Sequence, residues 1–333
     1  MRIIVYGAYG TGNFGDEATL DVLIEHLGKV ADDELLVFSS DPQETSALYS
    51  VKASRPSLVA LVRTDAIIIE DLDTSFKFLA GFLARMLRKR LLYYAVGFPN
   101  LTMPMKLLMP LAMYGKKLYV RDTYSKEAFE RLGLRDIQLV PDPALRLEPI
   151  EKSRAKRILE KQGIDLGRCL VGLSLRYSRT TKLDERVKKT MVYVINWLIK
   201  EKNAEIVFVP MCKHKRANVD KDHLFGEELR QLVEEKEHFK VLNELSSPRE
   251  AKGVFGLMSL CIGMRLHSAV FAYSMGVPYV GLVTGMIGYD EKIVSFMESC
   301  FRKAPLNIGQ IDAQLLKHRI TEALGNSETS LTK

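Results

Sequence analysis

The sequence predicts an α/β protein made of two Rossmann-like domains. Three observations predict it. Short apolar runs alternate with longer amphipathic ones, a glycine-rich turn directly follows the first run, and the alternation restarts after a proline-rich stretch. Continuous apolar runs suit strands of a parallel sheet covered by helices on both faces.

In the first half, Arg2–Tyr6, Glu34–Ser39, Ala66–Ile69, Leu91–Val96 and Lys117–Val120 read as strands. Between them, Asp16–Leu27, Ser75–Arg90 and Ser125–Leu132 read as helices. Pro141–Pro149 is proline-rich and leads into a charged helix, Glu151–Gln162. The junction is therefore placed near residue 150, with domains 1–150 and 151–333. The second half reads as strand Leu170–Leu175, helix Asp184–Lys200, strand Glu205–Val209, helix Phe225–Glu235 and strand Phe239–Leu242. Helix Ser247–Met258, strand Leu260–Gly263, helix Leu266–Met275 and strand Tyr279–Leu282 follow, and Asn326–Lys333 reads as a frayed tail. Open α/β sheets bind ligands beyond the carboxyl ends of their strands, so two such domains predict a cleft faced by both glycine loops.

The charge balance narrows the partners. Among 333 residues, 48 basic against 41 acidic side chains leave +7, which suits anionic small molecules or a membrane surface. No basic run is interleaved with aromatics, so no nucleic-acid partner is expected. Cys169, Cys212, Cys261 and Cys300 stand far apart without a CxxC pair, a pattern of neither zinc site nor disulfide framework. The chain opens directly on a strand and holds no run of about 18 apolar residues. The expected location is the cytoplasm, with at most peripheral contact at the inner face of the cell membrane.

Gly10, Gly12 and Gly15 form a GxGxxG between a strand and a helix, the spacing of a dinucleotide-binding turn. Asp16 and Glu17 oppose that reading, because they occupy the positive end of the helix dipole. Asp41, the nearest candidate for a ribose-binding acid, comes late. Two other readings stand beside it. One is a tight turn with Asp16 as helix N-cap. The other is a cleft-lining role for Gly10, Gly12 and Asn13 towards an acceptor.

The second domain carries a denser cluster. In Cys261-Ile-Gly-Met-Arg-Leu-His-Ser268 a strand ends at a glycine, and Arg265 and His267 open the next helix. A cation, an imidazole and helical N–H groups at one strand end make an anion site in which His267 can move a proton. The bland alternative is a structural histidine and a salt-bridged arginine. Arg176 ends the first strand of this domain, with Arg179 and Lys182 as substitutes in the loop beyond, and Lys292 follows another strand.

At these residues the chain resembles the polysaccharide pyruvyl transferase family. The resemblance runs through Gly7-Ala-Tyr-Gly-Thr-Gly-Asn-Phe-Gly-Asp-Glu-Ala18, Val120-Arg-Asp-Thr-Tyr-Ser125, Pro141-Asp-Pro-Ala144, Phe208-Val-Pro-Met211 and the Gly-Met-Arg-Leu-His block. It implies a GT-B-like bilobed fold, phosphoenolpyruvate as donor substrate, no metal requirement and no further cofactor. It also implies that Arg176, Arg265, His267 and Lys292 correspond to donor-site residues. The family's Gly-Gly-Gly-Ser-type loop is replaced here by Ile67-Ile-Ile-Glu-Asp-Leu-Asp-Thr-Ser75. Its Tyr-Asp-Pro-Lys motif reads Tyr289-Asp-Glu-Lys292. Asp71 and Asp73 then become candidate contacts for acceptor hydroxyls.

The expected function is pyruvyl (ketal) transfer from phosphoenolpyruvate to hydroxyls of a saccharide or lipid-linked saccharide in cell-surface glycan synthesis. His267 would move the proton while Arg265 and Arg176 hold the anion. A GT-B-like glycosyltransferase using a nucleotide-sugar and a catalytically silent glycan-binding homologue remain as alternatives, and homo-oligomerisation stays open. The segment Ser75–Arg90 places Phe76, Leu79, Phe82, Leu83, Met86 and Leu87 on one stripe above a basic end. Either that stripe packs on the sheet, or the basic end touches anionic lipid with help from Lys106, Lys116 and Lys117.

Overall fold

The computed structural model describes residues 1–28, 34–72, 75–98, 109–177, 181–213, 221–285, 290–310 and 312–330. They form two compact units, Met1–Ala144 and Leu145–Lys333. The division falls inside the proline-rich stretch, slightly before residue 150.

Unit 1 runs β1 (Arg2–Tyr6), α1 (Phe14–Gly28), β2 (Glu34–Phe38), α2 (Pro42–Tyr49), β3 (Lys52–Ser54), α3 (Leu58–Arg63), β4 (Ala66–Ile69) and α4 (Ser75–Met86). It continues with β5 (Arg90–Val96), α5 (residues 109–113), β6 (Leu118–Val120), α6 (Thr123–Arg131) and β7 (Ile137–Leu139). The sheet order is β3-β2-β1-β4-β5-β6-β7, with every pairing parallel.

Unit 2 runs α7 (Lys152–Lys161), β8 (Cys169–Ser174), α8 (Thr181–Lys202), β9 (Ala204–Phe208), α9 (Asp222–Leu232), β10 (Phe239–Val241) and α10 (Pro248–Phe255). β11 (Leu260–Gly263), α11 (Leu266–Ser274), β12 (Tyr279–Val283), α12 (Asp290–Phe296), β13 (Leu306–Asn307) and α13 (Ala313–Ser330) complete it. Its sheet order is β10-β9-β8-β11-β12-β13, again parallel.

Both sheets are doubly wound, because the chain builds outward from a central strand and then crosses to that strand's other side. The order reverses between β1 and β4, and again between β8 and β11. At such a switch point successive crossovers leave opposite faces, which opens a crevice at the carboxyl ends of the two strands. β9 and β12 are buried along their whole length, as strands covered on both faces must be. α8 buries Val187, Met191, Val194, Ile195, Leu198 and Ile199, a stripe at helical spacing. Each such side chain contributes roughly 1.5–3 kcal/mol relative to exposure.

Several elements differ from the sequence reading. α1 starts at Phe14, ahead of Asp16, because Asn13 takes the capping position: its Oδ1 accepts from Gly15 N at 3.1 Å. The tail expected from Asn326 is helical to Ser330, as α13 is held by Leu316 and Ile320, one turn apart and fully buried. α4 ends at Met86, and Arg88 with φ 52° turns the chain into β5.

α4 packs through only part of its large apolar stripe: Phe76 and Leu83 lie half-buried against the core of unit 1. Lys77, Ala80, Gly81 and Ala84 are its buried positions, whereas Leu79, Phe82 and Met86 are exposed. A Cβ at Gly81 would lie 2.4 Å from Tyr93 Oη, so the close approach of helix to strand selects small residues. Among the described residues no helix is long and apolar enough to cross a membrane.

Candidate active site

In unit 2 the chemistry gathers at the switch point. Met264 N donates to Ser174 O at 2.8 Å and ties the ends of β8 and β11 together. Just beyond β8 lies Arg176, 5% exposed, and just beyond β11 lies Arg265, whose extended backbone (φ −99°, ψ 130°) opens α11. The Arg265 carbonyl accepts from Ser268 N at 3.1 Å and Ser268 Oγ at 2.6 Å, which fixes this first turn.

The Arg265 guanidinium makes a two-point contact with Asp222: Nη2 to Oδ1 at 2.5 Å and Nε to Oδ2 at 3.1 Å. Asp222 opens α9, is fully buried and accepts Cys212 N at 3.0 Å. Burial pushes its carboxyl above the usual range, against the opposing charges of Arg265 and Arg176. Arg265 thus pairs with a buried carboxylate that also feels the charge of Arg176, at the amino end of α11. Such an arrangement is chemically suited to hold an anion.

His267 lies in the first turn of α11, buried to 7% exposure. Lys292 is half-buried in α12, beyond the end of β12. Asp290 anchors that helix by accepting Thr284 N at 2.9 Å. The predicted cations and histidine therefore occupy the carboxyl edge of one sheet, on β8, β11 and β12. Arg179 and Tyr289, and the side chain of Lys182, lie outside the described residues. Sequence reasoning does not reach Asp222, because the apolar stripe begins at Phe225 and the acid precedes it. A lone Asp ahead of an amphipathic stripe was the available signal.

In unit 1 the glycine loop is closed by its own chain. Gly10 has φ 68°, and a Cβ there would meet Ser39 Oγ at 2.2 Å and Asp41 N at 2.5 Å. Gly10 N donates to Glu17 Oε1 at 2.7 Å, and Tyr49 Oη donates to Glu17 Oε2 at 3.0 Å. A buried carboxyl thus holds the N–H that a dinucleotide turn would offer to pyrophosphate. Burial pushes the Glu17 carboxyl up to about 7. Asn13 Nδ2 donates to Asp16 Oδ2 at 2.7 Å, and Gly12 is partly exposed in the same loop.

Around this loop stands a polar cluster that the sequence reading did not assemble. Burial, then the charge of Asp71, pushes Asp16 up to about 7, while Arg121 and Lys77 oppose the shift. Asp71 is bound to the buried Lys77 at 2.6 Å and accepts Leu72 N at 2.8 Å. Glu70, next after β4, accepts the Tyr9 hydroxyl, and burial raises it to about 7. Arg121, next after β6, faces Asp142 at 3.6 Å. Asp73 lies outside the described residues. Carboxyls poised near neutrality at strand ends are suited to accept hydrogen bonds and protons from hydroxyls.

The model of the polysaccharide pyruvyl transferase family matches residues 13–285, a span that holds Arg176, Asp222, Arg265 and His267. No curated protein matches the chain in sequence. Solved structures share its fold at low identity. The UDP-GlcNAc 2-epimerase of Methanocaldococcus jannaschii is 15% identical with a TM-score of 0.67, over 97% of this chain and 93% of that one. The ADP-heptose LPS heptosyltransferase II of E. coli is 14% identical with a TM-score of 0.57, over 98% of this chain and 100% of that one. These likenesses show a two-unit, GT-B-like α/β fold.

Proposed function

Because the chain belongs to the polysaccharide pyruvyl transferase family, we propose that it forms a pyruvate ketal on a saccharide with phosphoenolpyruvate as donor. The observation that carries this reading is Arg265, ion-paired to the buried Asp222, together with the buried Arg176 at the switch point of the second sheet. Phosphoenolpyruvate brings a phosphate and a carboxylate, and both call for fixed cations and helix N–H groups.

The reaction needs a proton at the methylene carbon, which leaves an oxocarbenium-like centre at C2. One sugar hydroxyl adds there and gives up its proton. A second hydroxyl then displaces phosphate and closes the ketal ring. His267, at the amino end of α11, moves the proton to the methylene carbon. Arg265, locked by Asp222, and Arg176 stabilise the departing phosphate, with Lys292 as a further cation on the donor. In unit 1, Asp16 and Asp71 suit the hydroxyls of the acceptor. An Asp16 carboxyl near 7 is matched to taking a proton at neutral pH.

The test is phosphate release from phosphoenolpyruvate across a panel of saccharides and lipid-linked saccharides. Release that depends on the acceptor supports the proposal. Calorimetric binding of a nucleotide-sugar without binding of phosphoenolpyruvate would overturn it in favour of a glycosyltransferase. A chain that binds glycan yet turns over neither donor would be a silent homologue.

A further inference from the structure

Residues 1–144 carry 17 basic and 18 acidic side chains, so unit 1 is close to neutral. The charges are nonetheless segregated. Between Asp73 and Asp122 the sequence has nine basic residues and no acidic one, and between Glu44 and Asp65 it has three and none. Arg55, Arg63, Arg85, Arg88 and Lys89 lie on or beside α3 and α4, whereas Lys77 and Arg121 pair with acids at the carboxyl edge of the sheet. α3 packs against α4, Lys89 Nζ donates to Val62 O at 2.9 Å, and Arg85 donates to the Tyr114 carbonyl just past α5.

This three-helix face is also apolar. Leu58, Val59 and Val62 on α3 are 50%, 59% and 56% exposed, Met86 on α4 is 65% exposed, and Leu111 and Tyr114 at α5 are 63% and 67% exposed. Scattered single apolar residues on a surface are ordinary, but a contiguous set on adjoining helices marks a contact surface. Cations at helix carboxyl ends are partly explained by the helix dipole. The dipole does not explain outward-facing Val59, Phe82 and Met86. Arg55, Arg63 and Arg88 are exposed and take part in no described side-chain hydrogen bond or ion pair.

We propose that the α3–α4–α5 face of unit 1 docks on an anionic lipid bilayer. Its exposed apolar side chains enter the boundary between headgroups and acyl chains, and its unopposed cations meet lipid phosphates. Charge complementarity selects this occupant: Arg55, Arg63 and Arg88 are exposed, the flanking Asp65 is already paired with Arg2, and such a face would repel a second copy of itself. The proposal rests on this surface alone and not on pyruvyl transfer. α3, α4 and α5 each end just ahead of a strand, so the basic ends lie at the edge opposite the strand carboxyl ends.

The experiment is flotation of the full chain with phosphatidylcholine vesicles, with or without phosphatidylglycerol, at low and high salt. Binding is expected only with phosphatidylglycerol and is expected to weaken as salt rises. Arg55→Gln, Arg63→Gln and Arg88→Gln together should lower partitioning about 100-fold, at roughly five-fold per basic residue. A second variant, Val59→Ser with Met86→Ser, should also lower it, and both should melt near the wild-type temperature. No binding to phosphatidylglycerol vesicles, equal binding to neutral vesicles, or unchanged binding by both variants would overturn the proposal. A stable dimer broken by the Val59→Ser, Met86→Ser change would overturn it too, and would assign the face to a second copy.

Discussion

Arg265 and His267 stand two residues apart at one strand end, and their surroundings give each a different task. His267→Ala should lower turnover by about 10²–10⁴, the scale of a positioned acid–base group, with an unchanged circular dichroism spectrum. A wild-type rate would make the imidazole structural. Asp222→Asn keeps the shape of the buried partner but removes its charge. Breaking such a pair typically costs about 3–5 kcal/mol, so urea unfolding should show a marked loss. Phosphoenolpyruvate affinity should fall as well, because the guanidinium loses its anchor. Unfolding like the wild type would mean that the Asp222 charge is not needed to hold Arg265. The arginines and the histidine were legible because each sits in a short motif directly after an apolar run. Asp222 was not legible. Its partner lies 43 positions further along the chain, and only packing reveals that pairing.

At the scale of elements, the buried strands and amphipathic helices could be read from periodicity, even the three-residue β6 and β10, whereas the short strands with little buried face could not. β3 (Lys52–Ser54) and β7 (Ile137–Leu139) span three residues each and have too little pattern to register. The packing of α4 is legible only in part, for a different reason. Hydrophobicity marks the side chains that could be buried, and Phe76 and Leu83 do pack on the core, but where the helix approaches Tyr93 only small residues fit. The glycine loop offers an element-scale test. Gly10→Ala puts a Cβ against Ser39 and the Asp41 backbone at positive φ. It should destabilise the chain by more than about 1 kcal/mol in urea unfolding. A neutral effect would mean that the loop relaxes without cost.

Across the whole molecule, the acids of unit 1 bias stability with pH in an unusual direction. Glu17 and Glu70 are held up to about 7, above their ordinary 4.5. The folded chain therefore keeps protons that the unfolded chain releases between those values. Their contribution is fully present below about pH 4.5 and declines as pH rises to about 7, by up to about 3 kcal/mol for each group. Glu70→Gln should flatten the decline in melting temperature between about pH 5 and about pH 7 relative to the wild type. Parallel profiles would contradict the assignment. The bond between Gly10 and Glu17 has a consequence for how the molecule meets a changing cell. A phosphate-binding turn is filled or emptied by metabolite supply, whereas this turn is occupied by an acceptor tethered to the same chain, at an effective concentration that dilution cannot alter.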